Sequence, residues 1–153
     1  VEKDNDHYFE EAIESYNLPV LVGIHLRDNG KLPSGEKIID IFKKYKNKKW
    51  IGIIMACISP GAYELVINDL QKIDIPYGFK INAFKKIPEG YTVASKDQWG
   101  DAGNPNTVLG KNTDLNESKF YEYAKKFKEN GATILGGCCE TRPSHIKAIS
   151  KLK

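Results

Sequence analysis

Residues 50–70 read WIGIIMACISPGAYELVINDL, and the two halves of this stretch have different characters. From Trp50 to Ile58 the positions are apolar or small without interruption, and isoleucine dominates. Such a run lacks the alternation of a half-exposed strand and suits a strand covered on both faces. Ser59-Pro60 then supplies an N-cap hydroxyl and a proline at the first helical position. Leu65, Val66 and Leu70 are expected on the buried side of the helix that follows. A buried strand running directly into a helix is a βα unit, and the rest of the chain repeats it.

Upstream, Leu18 to Leu26 (LPVLVGIHL) is a strand of the same kind, closed by the turn signal Asp28-Asn29-Gly30. Residues 35–46 (GEKIIDIFKKYK) place Ile38, Ile39, Phe42 and Tyr45 on one helical face. Before them, residues 6–16 carry Phe9, Ala12, Ile13 and Tyr16 at helical spacing, with Asn17 as a stop. Downstream, Pro76 to Phe84 (PYGFKINAF) is a third strand. Residues 85–115 show no periodicity, and a loop this long in a compact domain is usually functional or mobile. Asn116 caps a helix over 117–130, with Phe120, Ala124 and Phe127 aligned and Asn130-Gly131 as its stop. Ala132 to Gly137 (ATILGG) is the fourth strand, and Pro143 begins a short helix carrying Ile146 and Ile149. Buried strands alternating with helices predict an α/β fold with a parallel sheet and right-handed crossovers.

The length, 153 residues, suits one domain. Hydrophobic residues make up 41% and charged residues 28%, enough for an ordinary globular core. No apolar run is long enough to span a bilayer, and the polar, acidic start is not a signal peptide. Neither a membrane nor a nucleic-acid partner is expected. The net charge of +3 comes mostly from lysines interleaved with acids, and the cluster Lys43, Lys44, Lys46, Lys48, Lys49 reads as a solvated helix end. The chain begins with Val1 rather than Met, so a trimmed chain or a fragment is expected.

Three cysteines without a secretory signal argue against a disulfide framework and suggest a cytoplasmic protein with a metal or catalytic role open. Cys57 lies at the C-terminal end of the second strand, and Cys138 and Cys139 lie just beyond the fourth. In βα architectures that edge is where active sites form. On a regular strand adjacent side chains point to opposite faces, so both thiols reach one ion only if the backbone turns sharply. Gly136 and Gly137 are expected to allow this. Three thiolates with one open position would make a catalytic rather than a structural zinc site. A small core residue at Cys57, or a strained vicinal disulfide at Cys138-Cys139, are the alternatives.

The run GATILGGCCETRPSHIKAI, with Gly136-Gly137-Cys138-Cys139 followed by Thr141, Pro143, His145 and Ile146, is similar to the closing signature of the homocysteine S-methyltransferase family. That resemblance implies a zinc-dependent enzyme on a TIM (β/α)8 barrel, with the paired cysteines ending its eighth strand and Cys57 ending the sixth. The segment LPVLVGIHLRDNGKLPSGE resembles the fifth strand and its loop, and YGFKINAF resembles the seventh. Ala56 departs from the family's usual Asn, and Ile81 and Phe84 replace Pro and Gly around Asn82. The resemblance spans the whole chain, 1–153, but only the C-terminal half of the barrel, about four strands, since a complete barrel takes about 250 residues.

The activity implied is methyl transfer to the thiol of homocysteine, giving methionine, with Cys57, Cys138 and Cys139 as zinc ligands. Zinc would bind the substrate thiolate and displace its proton, holding an electron-rich sulfur at neutral pH. The methyl donor (betaine, S-methylmethionine, S-adenosylmethionine or methylfolate/cobalamin) stays undecided. Trp99 and Tyr91 in the long loop are candidates to hold a cationic donor. His25 and Asn82 are candidate polar contacts to the substrate, whereas His145 reads as a helix-surface residue rather than a fourth ligand. The missing N-terminal half of the barrel, or self-association, is expected to complete the structure. A non-catalytic metal-binding or thiol-redox half-barrel is the competing possibility.

Overall fold

The computed structural model of the protein describes residues 11, 14–16, 18–45, 49–88 and 105–152. Within them the order is β1 (Val20–Ile24), α1 (Ile38–Tyr45), β2 (Trp50–Ile58), α2 (Pro60–Leu70), β3 (Tyr77–Ile81), α3 (Pro105–Leu109), α4 (Glu117–Glu129), β4 (Ile134–Gly137) and α5 (Pro143–Ile149). The helix expected over 6–16 falls largely outside the described residues. The expected α/β pattern is present: four strands form one parallel sheet in the order β1-β2-β3-β4, alternating with helices. No described helix is long and apolar enough to cross a membrane.

The sheet's two faces differ. On one, Val22, Ile24, Ile53, Met55, Phe79 and Ile81 are buried beneath helices. α1 touches α2, α2 touches α4 and α4 touches α5, so the helices form a single layer there. On the other face the paired positions are Leu21, Gly23, Ile54, Ala56, Gly78, Lys80, Ile134 and Gly136. Half of these positions are Gly or Ala, and Leu21 is 47% exposed. Gly78 admits no larger residue, because a Cβ there would lie 1.8 Å from the carbonyl oxygen of Ile134.

Capping follows the sequence. Ser59 Oγ accepts from Ala62 N at 3.1 Å, and Asn116 Oδ1 accepts from Lys119 N at 3.0 Å. These bonds satisfy N–H groups with no partner inside the helix. At the end of α4, Gly131 takes a φ of 98°, the left-handed conformation of a helix stop. Tyr63 of α2, Phe79 of β3 and Phe127 of α4 meet as an aromatic trio, with centroids 4.4–5.4 Å apart. Each such pair adds about 0.5–1.5 kcal/mol beyond its buried area, so the trio pins both helices to the sheet.

Two burial expectations need correcting. Leu65 is 63% exposed; the inward face of α2 is Ala62, Tyr63, Val66 and Leu70. Turned away from the sheet, Leu65 lies against the β1 loop, where a Cβ on Gly30 would come 3.0 Å from its own Cβ. In α5 the buried pair is His145 and Ile149, while Ile146 is 43% exposed. His145 is therefore not the surface residue expected. Its ring bonds on both sides lower the cost of burying a polar group.

Candidate metal centre

All four strands are parallel, so their C-terminal ends share one edge of the sheet. Two segments cross it with thiols. The first is the end of β2, where the pairing with β3 shifts between Ala56 and Ile58. Ala56 pairs with Lys80 and Ile58 with Ile81, leaving Cys57 as the extra residue of a bulge. Its φ is 55°, left-handed and uncommon outside glycine. A bulge of this kind re-aims a side chain, here that of Cys57. Neighbouring polar groups hold it. Asn82 Nδ2 donates to Cys57 O at 2.8 Å, and Asn82 Oδ1 accepts from Phe84 N at 3.1 Å. His25 Nδ1 lies 3.2 Å from Ala56 O, one residue before the bulge.

The second segment follows β4. Cys138 N donates to Ile81 O at 2.8 Å, and Ala83 N donates to Cys139 O at 2.9 Å, so the chain stays zipped to β3 as it leaves the sheet. It then turns. Thr141 donates twice to Cys138 O, from N at 3.2 Å and from Oγ1 at 2.6 Å. Glu140, with φ 61°, takes the left-handed position. The sharp turn was expected at Gly136-Gly137, but both glycines continue the regular strand, and neither has positive φ. Gly137 matters sterically instead: a Cβ there would come 2.4 Å from Thr141 Oγ1.

The two arms bring three sulfurs together. Cys57 Sγ is 3.6 Å from Cys139 Sγ, and Cys138 Sγ is 3.9 Å from Cys139 Sγ. All three sulfurs lie within 4.8 Å of one another, and none is in a disulfide. Tetrahedral ligands at a zinc–sulfur distance of about 2.3 Å stand about 3.8 Å apart, close to the two separations that Cys139 makes. The protons are unequally held. The Cys57 thiol, crowded by Cys138 and buried, is pushed well up. Cys138, beside the Cys57 thiol and with Lys80 nearby, is drawn down to about 5. Cys139 is raised, chiefly by burial. Without metal, the triad thus keeps its negative charge on Cys138.

Asn82 is 2% exposed. It also lines a cleft of about 280 Å³ with Asp28, Ser59, Phe84 and Lys85. His25 is exposed at the end of β1. His145 stands apart from the thiols, bonded to Leu115 and Arg142. Trp99 and Tyr91 lie outside the described residues. Three contributors had no role in the sequence reading: Thr141, whose hydroxyl braces Cys138; Lys80, the cation beside it; and Glu140, held by Asn106 Nδ2 at 3.1 Å. Lys80 was the most accessible to sequence reasoning, since a lysine inside the apolar strand YGFKI asks for a partner.

Comparison with known proteins gives a consistent picture. Residues 7–152 match the family model described as homocysteine S-methyltransferase. The chain is 49% identical over 141 residues to homocysteine S-methyltransferase 1 of Brassica oleracea var. italica, covering 90% of this chain and 38% of that protein. It is 40% identical over 147 residues to selenocysteine methyltransferase of Astragalus bisulcatus, covering 94% and 39%. It is 24% identical over 135 residues to homocysteine S-methyltransferase 2 of Arabidopsis thaliana, covering 88% and 36%. The chain thus spans well under half the length of these curated relatives. No solved structure matches.

Proposed function

This chain belongs to the homocysteine S-methyltransferase family, and we propose that it supplies the metal-binding part of an enzyme that methylates the thiol of homocysteine, giving methionine. The observation that carries this is the convergence of three sulfurs at separations suited to zinc. Cys57, Cys138 and Cys139 would hold the ion and leave its fourth position to the substrate sulfur. A bound zinc ion would supply Lewis acidity that keeps a thiol deprotonated near neutral pH.

The protein's own groups do the rest. Cys138 is already drawn toward its thiolate, so it is the first ligand available. The Cys57 bulge and the Cys138–Thr141 turn keep the sulfurs converged. Asn82, on the cleft, and His25, on the exposed sheet edge, are proposed to meet the polar end of the amino acid. Trp99 is proposed for a cationic donor such as betaine or S-methylmethionine.

We further propose that the four strands are strands five to eight of a (β/α)8 barrel. The sequential order with one helix layer supports this, since doubly wound sheets reverse strand order and carry helices on both faces. Free thiols suit a reducing compartment such as the cytoplasm.

The test is metal content with turnover. The chain joined to its complementary half-barrel and purified under reducing conditions is expected to carry one zinc and to methylate homocysteine with one of the donors above. Chelation is expected to remove activity and added zinc to restore it. Cys138→Ser is expected to lose both metal and activity. One equivalent of bound metal with no transfer from any donor, even in the full-length protein, would favour the non-catalytic alternative.

A further inference from the structure

His145 is buried, with 3% exposure, yet it takes no part in the thiol cluster. Its ring nitrogens face two backbone groups of fixed polarity. Arg142 N–H donates to Nδ1 at 3.0 Å, so that nitrogen must present its lone pair. Leu115 O lies 3.0 Å from Nε2, and a carbonyl only accepts, so that nitrogen must carry the hydrogen. Both bonds exist together only in the neutral Nε2–H tautomer. The ring is further fixed edge-on against Phe120, centroids 5.4 Å apart.

Each bond leads somewhere. Leu115 immediately precedes Asn116, the cap of α4, whose Phe120 and Phe127 are wholly buried. Ser144 Oγ donates to Glu117 at 2.6 Å, so the start of α5 is tied to the start of α4 twice. Arg142 follows Thr141, which donates two hydrogen bonds to Cys138 O. The path from the core of α4 to a sulfur ligand is therefore short: Leu115, the imidazole, Arg142, Thr141, Cys138. A Glu or Gln at this third helical position is the usual way to satisfy the cap N–H. A histidine makes that bond and also reaches a second helix.

We propose that His145 is a positioning residue for the metal centre: by clamping the backbone of Arg142 to that of Leu115, it sets where the Cys138–Thr141 turn leaves the sheet and so how Cys138 and Cys139 meet Cys57. This rests on the metal-site reading above. Groups that orient metal ligands without touching the ion typically change affinity by about 10-fold to 100-fold when removed.

The test uses cobalt(II) in place of zinc, because thiolate ligation gives an intense near-ultraviolet band and the visible bands report geometry. Affinity is read by competition with a chelator. His145→Leu, which keeps bulk against Phe120 but loses both bonds, is expected to bind cobalt at least 10-fold more weakly, with altered visible bands. His145→Gln restores the cap bond but not the tie to Leu115 O, and is expected to recover only part of the affinity. Phe127→Leu destabilises the same helix away from the turn and is expected to leave the affinity unchanged per folded molecule. Unchanged affinity and spectrum in His145→Leu would overturn the positioning role alone. If His145→Leu does not fold, a Gln variant that binds cobalt as tightly as the parent would equally overturn the clamp as drawn. A parent protein with no thiolate band would remove the metal-site reading and this inference together.

Discussion

Gly137→Ala should cost far more than the exchange of one small residue for another in a sheet. The added Cβ would lie 2.4 Å from Thr141 Oγ1, 3.0 Å from Thr141 Cβ and 3.2 Å from Ile146 Cδ1. Thr141 is short and its hydroxyl is committed to Cys138 O at 2.6 Å, so it cannot swing aside and keep that bond. Losing the bond costs about 0.5–1.5 kcal/mol, and overpacking a closed site costs about 1–3 kcal/mol. Gly→Ala also reduces the freedom of the unfolded chain, which returns roughly 0.5 kcal/mol. The expected net destabilisation is about 1–4 kcal/mol. Thr141→Ala alone loses only the hydroxyl bond, about 1 kcal/mol. It also removes the atom that the methyl group added at position 137 would strike, so the double variant should be more stable than the sum of the singles implies by about 1–2 kcal/mol. Urea unfolding followed by circular dichroism, with chelator present throughout, measures the cycle. Additivity within about 0.5 kcal/mol would mean that Gly137 and Thr141 are not in the contact described. A Gly137→Ala variant as stable as the parent would be equally damaging.

Two further outcomes follow from the same geometry. In metal-free protein, alkylation of Cys138 should titrate with a midpoint near its lowered value of about 5, well below the ordinary thiol value of 9.0, with mass spectrometry locating the label. The stability linked to Cys138 is complete above 9 and lost as pH falls toward 5, whereas that of the raised Cys57 and Cys139 is present below 9 and lost above it. The thiols' joint contribution should therefore peak near pH 9, and a triple Cys→Ala variant should lack that maximum. Separately, β1 and β4 end the four-stranded sheet, and the face without a helix among the described residues carries exposed Leu21. The 153-residue chain is expected to self-associate or to bind a complementary half-barrel, and light scattering showing a monomer that binds no apolar dye would contradict this.

Much of the fold was legible because local signals and tertiary demands agreed. The isoleucine run of β2 has the same bounds in sequence and structure, Trp50 to Ile58, because a strand buried for most of its length needs no alternation. Ser59 and Asn116 announce their helices because a short side-chain acceptor can satisfy an end N–H wherever the helix later packs. What failed was the assignment of faces in short helices. Leu65 is as apolar as Val66, and hydropathy alone does not say which of them meets the sheet. His145 was misread for a related reason. A histidine three residues past a helix cap is normally solvated, and its burial depends on a carbonyl 30 positions away that no local pattern reveals.

The residues of the thiol cluster were legible, but its geometry was not. Glycines beside paired cysteines pointed to a sharp turn at Gly136-Gly137, yet the left-handed residues of the cluster are Cys57 and Glu140. Each such conformation costs on the order of 1–3 kcal/mol in a residue with a side chain, so each must be held by its surroundings. Cys57 is held by Asn82 through its carbonyl and by the β3 pairing on either side of the bulge. Glu140 is held by Asn106, by Arg142 at 3.7 Å and by the Thr141–Cys138 bonds across the turn. Both strained residues lie at the point where two segments 82 positions apart must aim sulfur at the same place. A relaxed strand end would point adjacent thiols to opposite faces. The strain is therefore the local cost of convergence, and the residues that sustain it, Asn82, Thr141 and the clamp at His145, belong to the site as much as the thiols do.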